Sequence, residues 1–530
     1  VEELNQMDST KVERQFLKNA IADYAHREAD INDTVVYMLN GKLEKFSNKN
    51  TDMLAFDGKD ILPNAANPAV FNYPSTNGLL YITSAPATFR YNGYEYLRES
   101  EDMPSMMGAY VENYESRELD EINSVKGAII DGVQHYDDSV IIVSNILTDR
   151  MLRAQLDNED SLYTVLIPTD EAWDRAYGKI ISYYNYVEKI PYQDLSSDQV
   201  GLTPGASWNS KMKKLINLMD ASLGKKEVVL TAAPVGAEIS ETGAYWSDSI
   251  AKRLLTNNFV FSEKSGRFNT KFQTGQSFKE SDSVYSTTGN WLSNPTVLDE
   301  LTEEVVELSN GHARIIQDFP FSPEETYAPV IKSRNVARVI TATGYKYTNE
   351  SIDRTLLDPN MCVLDDEDET ALRYVKTNVP DFSTALSEFN FYIDDVLSTT
   401  YDVSLVLVPA CIEVPDMPES ERKPYSLYVD INYADYENGA LTLVTKRFDG
   451  ETLVSGNSAL RKVEPFTGGK DKVDTIRLGR VTFPVCYAGI DAKPNIKVMY
   501  PFNMMMDKSC ERNLRIANVI LEPVVEEEEE

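Results

Sequence analysis

Thr164-Val165-Leu166-Ile167-Pro168-Thr169-Asp170-Glu171-Ala172-Trp173 decides how the middle of this chain folds. Thr164 to Ile167 are β-branched or apolar, the composition of a short buried strand. Pro168 ends that strand, and Thr169 is placed to cap a helix whose first turn holds Asp170 and Glu171, two acids facing the positive end of the helix dipole. Trp173, Ala176, Tyr177 and Ile180 then recur at helical spacing, so one face of the helix is apolar. The expected unit is a strand, a tight turn and a capped helix. Thr169 and Asp170 are expected to bond backbone amides of the turn and helix start, as structural residues.

The order of strand, Pro-Thr-Asp-x-Ala and aromatic residue resembles the first signature box of fasciclin domains. Ser309-Asn310-Gly311-His312-Ala313-Arg314-Ile315-Ile316-Gln317-Asp318 resembles the family's other box, in which an Asn-Gly turn opens a strand. Asn-Gly is a dipeptide that tight turns with positive φ favour. The interval between the boxes exceeds the family's usual spacing, and Tyr183 to Lys211, rich in Tyr, Ser, Pro and Gly, reads as an inserted loop.

An echo of the second box precedes the first. Asn72 to Thr83 has the same grammar, with Asn77-Gly78 before Leu79-Leu80-Tyr81-Ile82. Upstream, Gln15 to Tyr24 reads as an amphipathic helix and Thr34 to Leu43 as a strand with a Gly turn. No Pro-Thr-Asp box precedes them, so residues 1–92 are expected to be the C-terminal half of a first fasciclin-like domain. From Tyr94 to Leu156 the pattern reads as helical, with Tyr96, Met107, Val140, Val143 and Leu147 as core residues. A second fasciclin-like domain would span 93–325. Beyond Pro329, short Val-, Ile-, Leu- and Tyr-rich runs are separated by turn residues, among them Val403 to Val408, Leu427 to Tyr433, Ile476 to Phe483 and Leu514 to Leu521. The alternation of Leu427, Val429, Ile431 and Tyr433 with Tyr428, Asp430 and Asn432 is that of a strand with one wet face. Residues 330–530 are therefore expected to form an all-β, jelly-roll-like sandwich, and Leu514 to Pro523 resembles the last strand of carbohydrate-binding jelly rolls. The fold class expected for the whole is α+β fasciclin-like domains, the first partial, followed by an all-β sandwich.

Bulk composition narrows the function classes. The 530 residues carry 51 basic and 84 acidic side chains, a net charge of −33 that repels nucleic acid and anionic bilayers. No apolar run approaches the roughly 20 residues of a membrane-spanning helix. The chain opens at Val1 and reads as a processed product or fragment, before which a signal peptide and lipid-attachment Cys can have stood. Cys362, Cys411, Cys486 and Cys510 allow two disulfides in three connectivities, or four buried thiols.

The three histidines, His26, His135 and His312, form no His-Glu-x-x-His or His/Cys cluster, and no Gly-x-Ser-x-Gly elbow or phosphate loop is present. Asp365 to Glu369 is acidic but lacks the glycine and alternation of a calcium loop. No catalytic residue, metal ligand or cofactor is assigned. Sugar rings stack on flat side chains, so the candidate binding residues are aromatic: Tyr183, Tyr184 and Tyr186 in the inserted loop, with Trp208, Trp246 and Trp291.

The fasciclin resemblance implies a binding or adhesion module. The Tyr-His pair that some members use for adhesion is not carried over, because Leu254 to Phe261 places Asn where that His would stand. Fasciclin-like domains joined to a sandwich resemble surface lipoproteins of Bacteroidetes-type bacteria. That resemblance implies a surface-exposed, lipid-anchored protein of the outer membrane, with a TonB-dependent transporter and its lid lipoprotein as partners and a glycan as ligand. A cell-adhesion module and a glycoside hydrolase using two carboxylates are the alternatives.

Overall fold

The computed structural model describes residues 8–50, 53–130, 132–186, 255, 259–262, 284–285, 291–292, 297–319, 321, 323–340, 347–364, 369–378, 388–488, 493–501 and 509–524. The architecture is rich in β-sheet, with several separate and mostly antiparallel sheets. The chain divides into two compact units, Val1–Asp174 with Thr256–Pro320, and Arg175–Leu255 with Phe321–Glu530.

The first unit opens with a six-stranded antiparallel sheet of β1 (Thr34–Tyr37), β2 (Leu43–Asn50), β3 (Met53–Phe56), β4 (Lys59–Leu62), β5 (Asn72–Pro74) and β6 (Leu79–Thr83), in the order β1-β2-β3-β4-β6-β5. Ile31, Val36, Met38, Phe46, Leu54 and Ile61 form its core, and Phe46 meets Tyr81 edge-on at 5.2 Å. Gly78 lies in the turn of the β5–β6 hairpin, where its carbonyl accepts from the Ser75 amide. Helix Gly93–Glu99 starts with a capping box: Asn92 Oδ1 accepts from the Glu95 amide and Glu95 reaches back to the Asn92 amide. Helix Ser105–Glu112 follows. Met107, Tyr110 and Val111 face its core.

Between Glu115 and Asn145 the structure corrects the helical reading. This stretch is β-structure: β7 (Glu115–Leu119), β8 (Val125–Ile130), β9 (Val133–Asp138) and β10 (Ile141–Asn145), with β7 paired to β10 and β8 to β9. The physical reason is the β-branched run Val140-Ile141-Ile142-Val143, whose stiff side chains fit a pleated strand better than a helical turn.

The Thr164 and Ser309 segments meet at the centre of the unit. β11 (Tyr163–Pro168) is buried at every residue. It lies between β12 (Val260–Ser262) and a strand from the second box. β13 (Val284–Tyr285) and β14 (Trp291–Leu292) form a separate small hairpin, and β15 (Thr302–Leu308) and β16 (Gly311–Ile316) complete the central sheet in the order β12-β11-β16-β15. β11 and β16 run parallel, with Thr164 opposite His312. The Asn-Gly pair has two distinct jobs. Gly311 sits at φ +134°, and a Cβ there would lie 1.8 Å from the Tyr163 carbonyl oxygen, so only glycine lets the strands approach. Asn310 is fully buried, accepts from the Gly93 amide, and donates to the Leu156 and Asn158 carbonyls. Thr169 Oγ1 accepts from the Ala172 amide and so caps helix Asp170–Ser182, and Trp173 is buried against Tyr110.

The second unit holds two antiparallel sheets. The first contains β17 (Ile331–Ser333), β19 (Tyr347–Asp353), β20 (Ala371–Thr377), β22 (Thr400–Leu407), β27 (Asp474–Thr482) and β29 (Arg515–Pro523). The second contains β18 (Val336–Ile340), β21 (Glu388–Tyr392), β23 (Tyr425–Glu437), β24 (Ala440–Phe448), β25 (Leu453–Val454) and β28 (Asn495–Met499), with β26 (Phe466–Gly468) on β23. Val403, Leu405, Val519 and Leu521 of the first sheet and Phe389, Phe391, Val429 and Val498 of the second are fully buried, and Phe483 touches both Tyr401 and Tyr433. This is a sandwich core. The polar face expected on β23 is not wet. Asp430 is buried in a bidentate pair with Arg447, whose guanidinium lies 4.2 Å above the Tyr428 ring, and Asn432 bonds Thr445 and Asn495. The polar residues are there, but they satisfy one another.

Candidate functional site

In the first unit, the segment that enters β1 lies across the six-stranded sheet and leaves a groove beside it. Asp23 donates its amide to the Tyr37 carbonyl and Leu39 donates to the Ile21 carbonyl, so residues 21–23 run antiparallel to residues 37–39. Tyr81 donates its hydroxyl to the His26 carbonyl at 2.7 Å, closing one end. Between residues 20–26 and 75–87 lies a half-open groove of about 960 Å³.

Its floor is apolar and aromatic, with Met38, Phe46, Phe56 and Tyr81, and its polar groups include Asp23, His26, Ser75, Asn77 and Ser84. Leu80, Ile82 and Ile21 contribute exposed apolar surface, and Tyr24 stands on the rim at 80% exposure. Burial, with Glu28 and Asp30 nearby, pushes the Tyr81 phenol up to about 12, so it stays a neutral donor. A concave apolar surface with a few polar groups at its margin is the usual form of a ligand site. Asp23 is the one carboxylate among the residues lining it.

A charge cluster at the β1–β2 and β3–β4 turns of the same sheet ties them to the rest of the unit. Lys42, 3% exposed, places Nζ 2.5 Å from Glu95 Oε2, 2.7 Å from Glu159 Oε1 and 3.1 Å from Ser309 Oγ. Burial first, and then the Asp57 carboxylate, pushes Glu44 up to about 7, against the opposing pull of Arg90 and Lys42. Arg90 bonds Asp57 at 3.0 Å. The lysine is fully occupied and serves as an internal tie.

The aromatic candidates divide in three. Tyr183, Tyr184 and Tyr186 are corrected from exposed loop residues to buried ones. Tyr183 meets the Tyr327 ring edge-on at 5.3 Å, Tyr184 donates to the Tyr327 carbonyl and Tyr186 to the Ala488 carbonyl. Backbone bonds from Ser398 to Tyr183 and from Cys486 to Asn185 lay this segment into the second unit. The cause is that the Tyr184 and Tyr186 phenols each find a carbonyl and the Tyr183 ring packs on Tyr327, which makes burial of these side chains favourable. Trp208 and Trp246, with most of the Tyr183–Lys211 loop and the acidic run from Asp365, lie outside the described residues. Trp291 belongs to β14, and its backbone pairs with Tyr285. The groove residues Tyr24, His26 and Tyr81 carried no motif. The one sequence signal for them was the echo at Asn77-Gly78, which marks the turn before β6.

All four cysteines are buried, and burial pushes the Cys486 thiol up to about 12. Among the described residues no group of three His, Cys, Asp or Glu side chains is placed to hold a metal ion, and no helix is long and apolar enough to cross a membrane.

No family model and no curated protein matches the chain. Among solved structures it is similar to a family 11 carbohydrate-binding module from Clostridium thermocellum in complex with a β-1,3-1,4-mixed-linked tetrasaccharide. The identity is 9% over 38% of this chain and 100% of that one, with a TM-score of 0.20. A likeness at that level carries no argument about fold or ligand.

Proposed function

We propose that this chain is a non-enzymatic, surface-exposed lipoprotein that captures a glycan as an accessory subunit of an outer-membrane uptake complex, beside a TonB-dependent transporter and its lid lipoprotein. The reading takes residues 1–92 and 93–325 as fasciclin-like domains and 330–530 as a binding-module sandwich. The observation that carries it is the groove beside β6. The half-buried Phe56 and Tyr81 and the exposed Tyr24 give sugar rings flat faces to stack on, and Asp23, Asn77, Ser75 and Ser84 offer hydrogen-bond partners for hydroxyls. Glycoside hydrolysis uses two carboxylates, and this groove has Asp23 alone, which favours holding over cleaving.

The test is retention of the full chain in gels cast with a panel of polysaccharides, run beside Tyr24→Ala and Ile82→Ser. The expected result is retardation by one polysaccharide class, reduced in both variants while thermal stability is unchanged. Release of reducing ends from any polysaccharide would establish the hydrolase alternative. Retention untouched by both substitutions would remove the groove from the reading.

A further inference from the structure

Residues Glu115 to Asn145 form one long two-stranded ribbon, β7 continuing into β8 and β9 returning into β10. Asp120 holds the bend, accepting from the Ile122 and Asn123 amides, while its own amide donates to the Val140 carbonyl. At its base the ribbon is anchored: Asn145 donates to the Val111 carbonyl, and Glu115 accepts from Tyr94 and Arg98. Beyond that anchor it is bare. Among the described residues each of its strands pairs with one neighbour, leaving an open backbone edge on either side.

Ten aliphatic side chains between Leu119 and Val143 are exposed, including Ile122 at 92%, Ile129 at 70% and Val133 at 61%. Neighbours along a strand point to opposite faces, so the roughly 900 Å² they present in all is divided between the two faces of the ribbon, which leaves each with an apolar patch as large as the largest on an ordinary monomer, about 300–600 Å² and often functional. A two-stranded ribbon is marginal on its own in water, and open apolar edges invite further strands.

Charge selects among occupants. Residues 115–145 hold seven acidic and two basic side chains. A second copy would set acids against acids, and an anionic bilayer would set them against phosphates. We infer that the ribbon docks on a partner protein by β-sheet addition, receiving an edge strand on which aliphatic side chains alternate with Lys or Arg. Backbone bonds then supply affinity, and cross-strand pairs of acid with base set the register. This deepens the accessory-subunit reading and rests on it for the existence of a partner.

The probe is a twelve-residue alternating Val-Lys peptide, with a Ser-Lys peptide of equal charge as control. Both are titrated against the full chain and against the Ile129→Thr/Ile142→Thr double variant. Both substituted positions are exposed and threonine keeps strand propensity and net charge, so the variant retains the fold. The expected result is binding of Val-Lys at least tenfold tighter than Ser-Lys, weakened by salt and lost at least tenfold in the variant. Equal binding of the two peptides would overturn the inference, because charge alone would explain it. So would a concentration-dependent dimer in sedimentation that the variant abolishes, or binding to phosphatidylglycerol vesicles. Polysaccharide retention on the same two proteins separates the failures. A chain that holds glycan but neither peptide overturns the ribbon and leaves the groove reading standing. One that holds the Val-Lys peptide and no glycan supports the ribbon and overturns the groove.

Discussion

The Asp170 carboxylate accepts from the backbone amide of Met106 at 2.9 Å, so the acid that opens one helix caps a different one. Its second oxygen takes the Ser105 hydroxyl at 2.5 Å. Helix Ser105–Glu112 starts after Pro104, which offers no capping side chain, and Asp170 supplies the missing acceptor from outside. The expectation that Asp170 would bond amides of its own turn is corrected, while Thr169 does cap its own helix.

Asp170→Ala is therefore expected to destabilise the first unit by about 1–2 kcal/mol, the scale of a lost cap made by a charged acceptor. Asp170→Asn should recover part of that loss. Denaturant midpoints measure it, and polysaccharide retention should not change. An alanine variant as stable as the parent would show that this cross-helix cap contributes nothing.

Asn310 and Gly311 should be far less tolerant. Asn310→Ala would strand the Gly93 amide and remove one of the two donors to each of the Leu156 and Asn158 carbonyls, which keep the Tyr94 and Ser161 amides, costing about 2–3 kcal/mol. Gly311→Ala would combine a left-handed φ with a Cβ driven into the Tyr163 carbonyl, and is expected to yield little folded protein. The measurement is soluble yield followed by thermal unfolding. A well-folded Gly311→Ala chain would mean that β11 and β16 do not approach as described.

Glu44 gives the first unit a base-side pH dependence. Its carboxyl is raised from the ordinary glutamate range to about 7, chiefly by burial. A folded-state value above the unfolded one stabilises fully below about pH 4.5, and that contribution is lost as pH rises through 7. Glu44→Gln, neutral at every pH, should be more stable than the parent by about 2 kcal/mol at pH 8 and equal to it near pH 5. Chemical denaturation at both pH values checks this. A parent chain with a flat profile from pH 5 to 8 would refute it.

How legible this fold was depends on what each stretch packs against. The Thr164 and Asn310 boxes could be read because their constraints are local: a cap, a positive φ, a run of strand formers. The sandwich strands were legible for the same reason, from Val403 to Leu521. The ribbon was misread because Val140, Val143 and Leu147 also fit a helical period, and only the contiguous β-branched run argued otherwise. Tyr183, Tyr184 and Tyr186 were misread because nothing local states that the Tyr183 ring meets Tyr327, or that the Tyr184 and Tyr186 hydroxyls meet the Tyr327 and Ala488 carbonyls, 143 and 302 residues away. The groove was invisible for a similar reason. It lies between residues 20–26 and 75–87, two stretches far apart in the chain.

In the second unit the pH dependence should have the opposite sign. Glu413 accepts from Tyr374 at 2.6 Å, Lys376 at 2.7 Å and Arg515 at 2.9 Å. Burial pushes its carboxyl up, but these three bonds outweigh it and hold the group at about 2. A depressed folded value stabilises above about pH 4.5, and the contribution is lost as pH falls toward 2. Glu413 is partly open to solvent, so the full shift is discounted to about 2 kcal/mol. Glu413→Gln should lose that much at pH 7 and more, because Arg515, only 7% exposed, would keep its charge with Glu511 at 3.6 Å as its nearest remaining acid. The variant should in turn show a flatter acid limb between pH 5 and 2 than the parent. Urea unfolding followed by tyrosine fluorescence across that range reads both effects. A variant with the parent's acid limb intact would assign the acid sensitivity to other carboxylates of this unit, Asp402 first among them, which its bond to Arg480 holds below the usual carboxylate range.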